Sequence, residues 1–203
     1  MKILETRTAP NPRRVRIYLA EKGISVPFEE LDLMKNQLKT PEFTQLNPLQ
    51  RVPVLILDDG TAISESMAIC RYFEEINPLP ALFGTGAKGR AIVEMWNRRT
   101  ELGLLFCTAT AFRHLHPAMA HLEVPQVKEW GECNKPKVLE FLGLLDKELA
   151  NRPFIAGAEY SVADITGLCA VDFMRVARIP RPAGHKHLDR WYDEVNARPS
   201  AKA

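Results

Sequence analysis

Two short segments of this chain carry residue types that suit the binding of a small charged peptide. The first is Arg51-Val52-Pro53, in which the proline precedes the apolar run from Val54 to Leu57. Proline has no N–H and is excluded from the interior of a central strand, so we expect Pro53 to begin the strand. A cis Val52–Pro53 bond would turn the N–H and C=O of Val52 outward, where an extended peptide could pair with them as an added strand. An ordinary trans proline at a strand entry is the alternative interpretation.

The second segment is Glu65-Ser66, which follows the hairpin sequence Asp58-Asp59-Gly60 and a short predicted strand at 61–63. An amphipathic helix is predicted after it from the spacing of Met67, Ile69, Cys70, Tyr72 and Phe73. Ser66 would then lie in the first turn, where free N–H groups and the helix dipole favour a carboxylate, while Glu65 could hold an ammonium. An α-amino acid head group offers both charges. A simple N-cap serine beside an acidic residue is the structural alternative.

With these motifs the chain resembles the cytosolic glutathione transferases. Residues 51–53 are similar to the family's Val-Pro segment, which contacts the cysteinyl backbone of glutathione, and 64–69 to the motif whose Glu/Gln-Ser pair binds the γ-glutamyl end. A third similarity is Ser161-Val162-Ala163-Asp164-Ile165, which has the form of a helix capping box and a structural role. The resemblance extends over nearly the whole chain. It implies an α/β thioredoxin-like N-terminal domain followed by an all-α helical domain, with Arg51, Val52, Pro53, Glu65 and Ser66 binding glutathione as co-substrate.

The loop expected to activate the glutathione thiol departs from the family pattern. Tyr, Ser or Cys usually does so, and in the subgroup with a Thr-Pro-Asn loop a threonine stands where this chain has Ala9. No CxxC precedes the helix, which argues against a dithiol oxidoreductase. Activation is therefore assigned to Asn11 or Thr8, to a backbone N–H, or to Arg113 or His114, which would otherwise belong to the electrophile site. For His114 a role at a helix end is the favoured interpretation.

The same loop leads into a basic helix. Asn11 is a plausible N-cap with Pro12 at the first helical position, and Gly23 is predicted to end the helix. Arginines near a helix N-terminus oppose the helix dipole, and this helix carries Arg13, Arg14 and Arg16. Either an anion compensates for them, or they form a solvated basic face paired with local glutamates.

The elements that must position these residues alternate between strand and helix up to residue 77 and are helical afterwards. We predict a glutathione-binding domain at 1–77, a linker at 78–86 and a helical domain at 87–203 that shapes the electrophile site. Apolar spacing predicts one long helix through 92–109, whose Arg99 and Arg113 must reach a cleft or pair with acids such as Glu94 or Glu101. Further helices are predicted at Lys128–Leu149, Val162–Val176 and Leu188–Ala197.

Composition limits the class of function. A net charge of +2 implies no strong field for nucleic acid or anionic membranes, and no apolar run approaches a membrane-spanning length. The N-terminal residues lack the apolar core of a signal peptide, so a cytoplasmic location is predicted. The four cysteines, Cys70, Cys107, Cys133 and Cys169, are far apart and show no metal spacing, so no metal is expected.

The functional prediction is a glutathione transferase that conjugates glutathione to a small hydrophobic electrophile. The resemblance also implies a homodimer. Two alternatives stay open at this point: glutathione-dependent reduction of disulfides or peroxides, and a non-enzymatic binding module that has lost its activating residue. Ala9 supports the last, whereas the retained Glu65-Ser66 pair argues against it.

Overall fold

The computed structural model describes residues 1–203 and divides into two compact units. The first is Met1–Ala81 with Pro199–Ala203, and the second is Leu82–Arg198. The sequence analysis assigned the last five residues to the helical domain, and the structure differs there. The Ser200 hydroxyl donates to Glu21, and the Ala201 carbonyl accepts from Arg13 at 3.1 Å, so the C-terminus packs on the first unit.

The first unit contains a four-stranded sheet in the order β2-β1-β3-β4. Its strands are β1 Lys2–Glu5, β2 Phe28–Glu30, β3 Val54–Ile56 and β4 Ala62–Ser64. The β1–β2 pair is parallel, and the β1–β3 and β3–β4 pairs are antiparallel. A parallel pair needs a crossover connection, which the first helix supplies, so this unit is the predicted α/β domain.

Three helices accompany the sheet: α1 Pro10–Lys22, α2 Pro41–Leu46 and α3 Ser66–Ile76. Helix α1 ends at Gly23, whose φ of 64° is the left-handed conformation that glycine adopts without a Cβ penalty, as predicted. The sequence analysis did not find α2. It is six residues long and is capped by the Thr40 hydroxyl, which accepts from the Phe43 N–H.

The second unit is all helical. Its helices are α4 Gly86–Thr100, α5 Phe106–Leu115, α6 Lys128–Leu149, α7 Val162–Val176 and α8 Lys186–Asn196. The predicted bounds of α6 and α7 are confirmed. The single long helix predicted through 92–109 is wrong in one respect, because a π-helical turn at Glu101–Leu105 separates α4 from α5. A Cβ on Gly103 would lie 2.4 Å from the Phe141 ring, so this turn brings the backbone close against α6.

The start of α7 is the polar centre of the second unit. Ser161 and Asp164 form the predicted capping box, in which the Asp164 carboxylate accepts from the Ser161 N–H at 2.9 Å. The same carboxylate also accepts from the Ile155 N–H and from Trp191 Nε1, each at 2.8 Å. Burial raises the pKa of Asp164 to about 6, and these donors act against that rise.

Among the helices of both units, none combines the length and the apolar character that a membrane-spanning helix needs.

Candidate functional site

The sequence motifs meet at one end of the four-stranded sheet. In the antiparallel pairs Leu4 lies opposite Val54, and Val54 lies opposite Ser64. Residues just before β3, just after β4 and just after β1 therefore lie at the same end of the sheet. This geometry brings together the segments 51–53 and 65–66 and the loop that leads into α1.

The segment before β3 bends at a cis proline and is held by a hydrogen bond from Asn47. The Val52–Pro53 peptide bond is cis, as predicted, and Pro53 is buried directly before the strand. Arg51 is exposed, and its carbonyl accepts from the Asn47 side chain at 2.8 Å. Asn47 is only 2% exposed, and its Oδ1 accepts from the Leu49 N–H at 3.1 Å. The sequence analysis missed Asn47 because it ends α2, a helix too short to give a periodic signal.

The segment after β4 turns directly into α3. Glu65 is the exposed N-cap residue, with a φ of 69°, and Ser66 is the first residue of the helix. Ser66 is 4% exposed, and its Oγ accepts from Arg14 Nη1 at 3.0 Å. A hydroxyl accepts through its lone pairs and keeps one hydrogen to donate. The Ser66 hydroxyl can therefore donate to a ligand while Arg14 holds its oxygen in place.

Arg14 connects the two helix starts at this end of the sheet. It is 1% exposed, and the nitrogen Nη1 that donates to Ser66 also donates to Asn11 Oδ1 at 3.2 Å. The beginnings of α1 and α3 both carry positive backbone charge, and a buried guanidinium adds a full positive charge beside them. This arrangement favours an anion. The sequence analysis noted Arg14 as a cation that opposes the helix dipole but left it out of the predicted site.

The other two arginines of α1 have structural contacts. Arg16 is 8% exposed and forms an ion pair with Glu5, and it donates to the Arg7 carbonyl at 2.9 Å. Arg13 donates to the Ala201 carbonyl. The solvated basic face that the sequence analysis offered as an alternative is therefore wrong, because Arg14 and Arg16 are buried, although Arg16 does pair with a nearby glutamate.

The prediction that Asn11 is the N-cap is also wrong. The N-cap is Ala9, and Pro10 is the first helical residue, a position that the sequence analysis gave to Pro12. Either proline has the fixed φ that suits the first turn of a helix, so the pattern alone does not decide between them. Asn11 is thus inside the helix, with an exposed side chain that bonds to Arg14.

The loop before α1 is a closed turn. The Ala9 N–H donates to the Thr6 carbonyl at 2.9 Å, and the Thr6 hydroxyl donates to the Leu31 carbonyl at 2.7 Å. Thr8 lies in this turn and is exposed. The turn therefore presents Thr8 to solvent next to the start of α1, while Thr6 and Ala9 fix its shape.

Arg113 and His114 lie in the last turn of α5, in the second unit. Arg113 Nε donates to Glu123 at 2.5 Å, so its partner is an acid, but not Glu94 or Glu101. His114 Nδ1 accepts from the Val127 N–H at 3.0 Å, a contact at the start of α6.

The Arg99 guanidinium lies over the Trp96 ring, 4.9 Å from its centroid. Residues 1–203 contain no group of three or more His, Cys, Asp or Glu side chains arranged to hold a metal ion.

A sheet domain of the thioredoxin type followed by an all-α domain defines a fold class, and comparison with known proteins gives the family. The family model described as glutathione S-transferase, N-terminal domain, matches residues 8–76, and the model for the C-terminal domain matches residues 106–199. Glutathione S-transferase 2 of Saccharomyces cerevisiae is 38% identical over 205 residues, which cover 100% of this chain and 88% of that protein.

Solved structures agree with the family models. The crystal structure of a glutathione S-transferase domain-containing protein from Marinobacter aquaeolei VT8 is 39% identical, with a TM-score of 0.96 over 98% of this chain and 99% of that chain. The crystal structure of Gtt2 from Saccharomyces cerevisiae is 38% identical, with a TM-score of 0.95 over 100% and 99% of the two chains. The chain belongs to the glutathione S-transferase family.

Proposed function

We propose that this chain is a glutathione transferase that joins the thiolate of glutathione to a small apolar electrophile. The observation that carries the proposal is the buried Arg14, which bonds to both Asn11 and Ser66 at the adjoining starts of α1 and α3. Residues 1–77 bind the tripeptide, and the helical residues 87–198 supply the electrophile pocket. Homodimerisation, which rests on the family alone, and a cytoplasmic location belong to the same proposal.

The α3 start binds the γ-glutamyl end of glutathione. The Ser66 hydroxyl donates to the α-carboxylate, together with the free N–H groups of the first turn of α3. Glu65 is exposed next to it and accepts from the α-ammonium. The cysteinyl backbone pairs with the Val52 N–H and C=O as an added strand, and the Arg51 side chain lies beside it.

The chemistry requires the thiol proton to pass to solvent water before the sulfur attacks. The thiolate then forms the new carbon–sulfur bond, and the electron pair of the electrophile goes to its leaving group or to a neighbouring atom that is then protonated. Asn11 is the first candidate for lowering the thiol pKa. Its Oδ1 is held by Arg14, which leaves the two hydrogens of its amide nitrogen to point at sulfur. Thr8, Arg113 and His114 are the remaining candidates.

One observation favours a second function. Ala9 takes the N-cap position of α1 and carries no hydroxyl, so the chain lacks the side chain that activates the thiol in its subgroup. A binding module without catalysis is the alternative that follows. Glutathione affinity together with conjugation and disulfide-reduction assays separates a transferase from such a module and from a reductase.

Replacing Ser66 by alanine is expected to raise the glutathione dissociation constant about tenfold or more, since a hydrogen bond to a charged group contributes about 1.5–3 kcal/mol. The fold should be retained, because Arg14 keeps its bond to Asn11. Isothermal titration calorimetry measures the change. Ser25→Ala, at an exposed residue of the same unit, is the matched control and should bind glutathione as the wild type does. Equal affinity in folded Ser66→Ala and wild-type protein would reject this site.

Replacing Asn11 by aspartate is expected to raise the pKa of bound glutathione thiol by about one to two units, each unit corresponding to about 1.4 kcal/mol. The aspartate keeps the bond to Arg14 but puts a negative charge and no N–H donor beside the sulfur. Ultraviolet titration of the thiolate, in protein saturated with glutathione, measures this pKa. Asn36→Asp, an exposed position of the same unit, is the control. If Asn11→Asp leaves the thiol pKa unchanged, activation belongs to Thr8 or to the Arg113–His114 turn.

A further inference from the structure

The second unit contains a cavity of about 500 Å³ that is lined mostly by nitrogen-bearing side chains. We call it the basic cavity. Its cationic lining residues are Lys128, Lys135 and Arg178, and its one acidic lining residue is Glu132. Glu132 lies 2.9 Å from Lys135, which neutralises it. Three cations against one carboxylate leave the lining with an excess of positive charge, and none of these four charged residues has a role in the transferase chemistry above.

Two histidines line the cavity, and one of them adds a hydrogen-bond donor to it. His114 Nδ1 accepts from the Val127 N–H at 3.0 Å, and His116 Nδ1 accepts from the Ala118 N–H at 3.2 Å. A ring nitrogen that accepts carries no proton, so in each neutral ring the proton is on Nε2, which donates. Both imidazoles line the cavity. His114 Nε2 faces Glu123, whose Oε1 lies 3.8 Å away, so His116 is the imidazole that offers its N–H to a ligand.

The positions of these groups are held by the fold. Gln126 Nε2 donates to the carbonyls of Arg113 and His116, at 2.7 and 3.0 Å, and so ties the lining loop to the end of α5. Lys128 is the first residue of α6, a helix of 22 residues whose N-terminal dipole adds to the positive potential of the side chains. Arg178 follows α7 with a φ of 57°, so the chain turns sharply at a residue that lines the cavity.

We propose that the basic cavity binds a small organic phosphate monoester. Such a group carries close to two negative charges at neutral pH, which matches the excess of cations. Its three oxygens accept from the Arg178 guanidinium, the Lys128 ammonium and the Nε2–H of His116. Leu115 and Ala177 supply an apolar part of the lining for the organic group. The volume falls within the range of small-molecule sites.

Phenyl phosphate is the probe, because its ring suits Leu115 and Ala177 and its phosphate suits the cations. Calorimetric titration of the full chain without glutathione keeps this test separate from the transferase proposal. The affinity for phenyl phosphate should fall about fivefold or more in Lys128→Gln and in Arg178→Asn, because each variant loses a cation of the lining. Asparagine is chosen at position 178 because it tolerates the left-handed backbone there. Glu132→Gln should strengthen it, since the one negative charge of the lining is removed. His114 and Arg113 stay unchanged in all variants.

Lys137→Gln is the matched control, because it removes the same charge from the same helix at a residue that lies over the Trp130 ring and does not line the cavity. Its affinity should equal that of the wild type, as should that of Ser66→Ala, which alters only the glutathione site. An equal loss in Lys137→Gln would show a diffuse charge effect and overturn the proposal. The proposal would also be overturned if phenyl phosphate did not bind, or if phenol bound equally well. Equal binding of inorganic phosphate would overturn it too, because the organic group would then make no contribution to affinity.

Discussion

Replacing Asp164 by alanine is expected to lower the free energy of unfolding of the helical unit by about 4 kcal/mol or more, since each buried donor left without an acceptor costs about 1–3 kcal/mol. The carboxylate is fully buried and accepts from four donors: the Ile155 N–H, the Ser161 N–H and hydroxyl, and Trp191 Nε1. Alanine leaves all of them inside the protein without that acceptor. The helix cap is lost in the same change, because the Ser161 N–H is one side of the capping box.

Chemical denaturation followed by tryptophan fluorescence measures this loss, because Trp96, Trp130 and Trp191 all lie in the helical unit. Asp172→Ala is the control on the same helix, since Asp172 accepts from the Tyr192 hydroxyl at 2.6 Å at a half-buried position. Its loss should be about 1 kcal/mol, the value of an ordinary hydrogen bond. Equal losses for the two variants would mean that Asp164 is no more than a helix cap.

The capping box also shows which parts of the fold were accessible from the sequence. Ser161 and Asp164 are three residues apart, so their contact follows from local helix geometry and was predicted. The bond from Trp191 to the same carboxylate spans 27 residues and depends on how α8 packs against α7. No local pattern specifies it, although a fully buried acid beside an indole is what makes this cap so important for stability.

In the candidate site too, the local motifs were predicted from the sequence and the long-range contacts were not. The motifs at 51–53 and 65–66 are short, and the sequence identified both, together with the cis Val52–Pro53 bond. The contact of Arg14 with Ser66 spans 52 residues, so only an indirect sign of it is visible in the sequence, a cation placed against the helix dipole. Asn11 was misplaced for a local reason, because two prolines two residues apart compete for the first helical position and only the path of the chain from β1 decides.

A second large effect is expected at the buried ion pair between Arg16 and Glu5. Replacing Arg16 by methionine should lower the free energy of unfolding of the first unit by about 3–5 kcal/mol, because a buried charge without its partner is strongly unfavourable. Glu5 is 3% exposed at the end of β1, so water does not replace the guanidinium. The methionine fills much of the volume of the arginine stem, which limits the packing loss.

The same change should affect the site. Arg16 holds the Arg7 carbonyl as well as Glu5, and so it fixes both the end of β1 and the turn that presents Thr8. Without it the turn gains freedom next to Asn11. If the turn positions the glutathione thiol, the rate of conjugation should fall more than glutathione affinity, since the contacts proposed between Ser66 and the γ-glutamyl end are unchanged.

Hydrogen exchange of the β1 and α1 amides, together with conjugation kinetics, measures both effects. Lys2→Met is the control for a lost ion pair, because Lys2 and Glu29 are exposed and their pair is worth at most about 1 kcal/mol. The double variant Glu5→Gln with Arg16→Met removes the buried charge and should recover much of the stability, but not the rate, because the Arg7 carbonyl still lacks its donor. Recovery of the rate along with stability would show that the turn does not position the thiol.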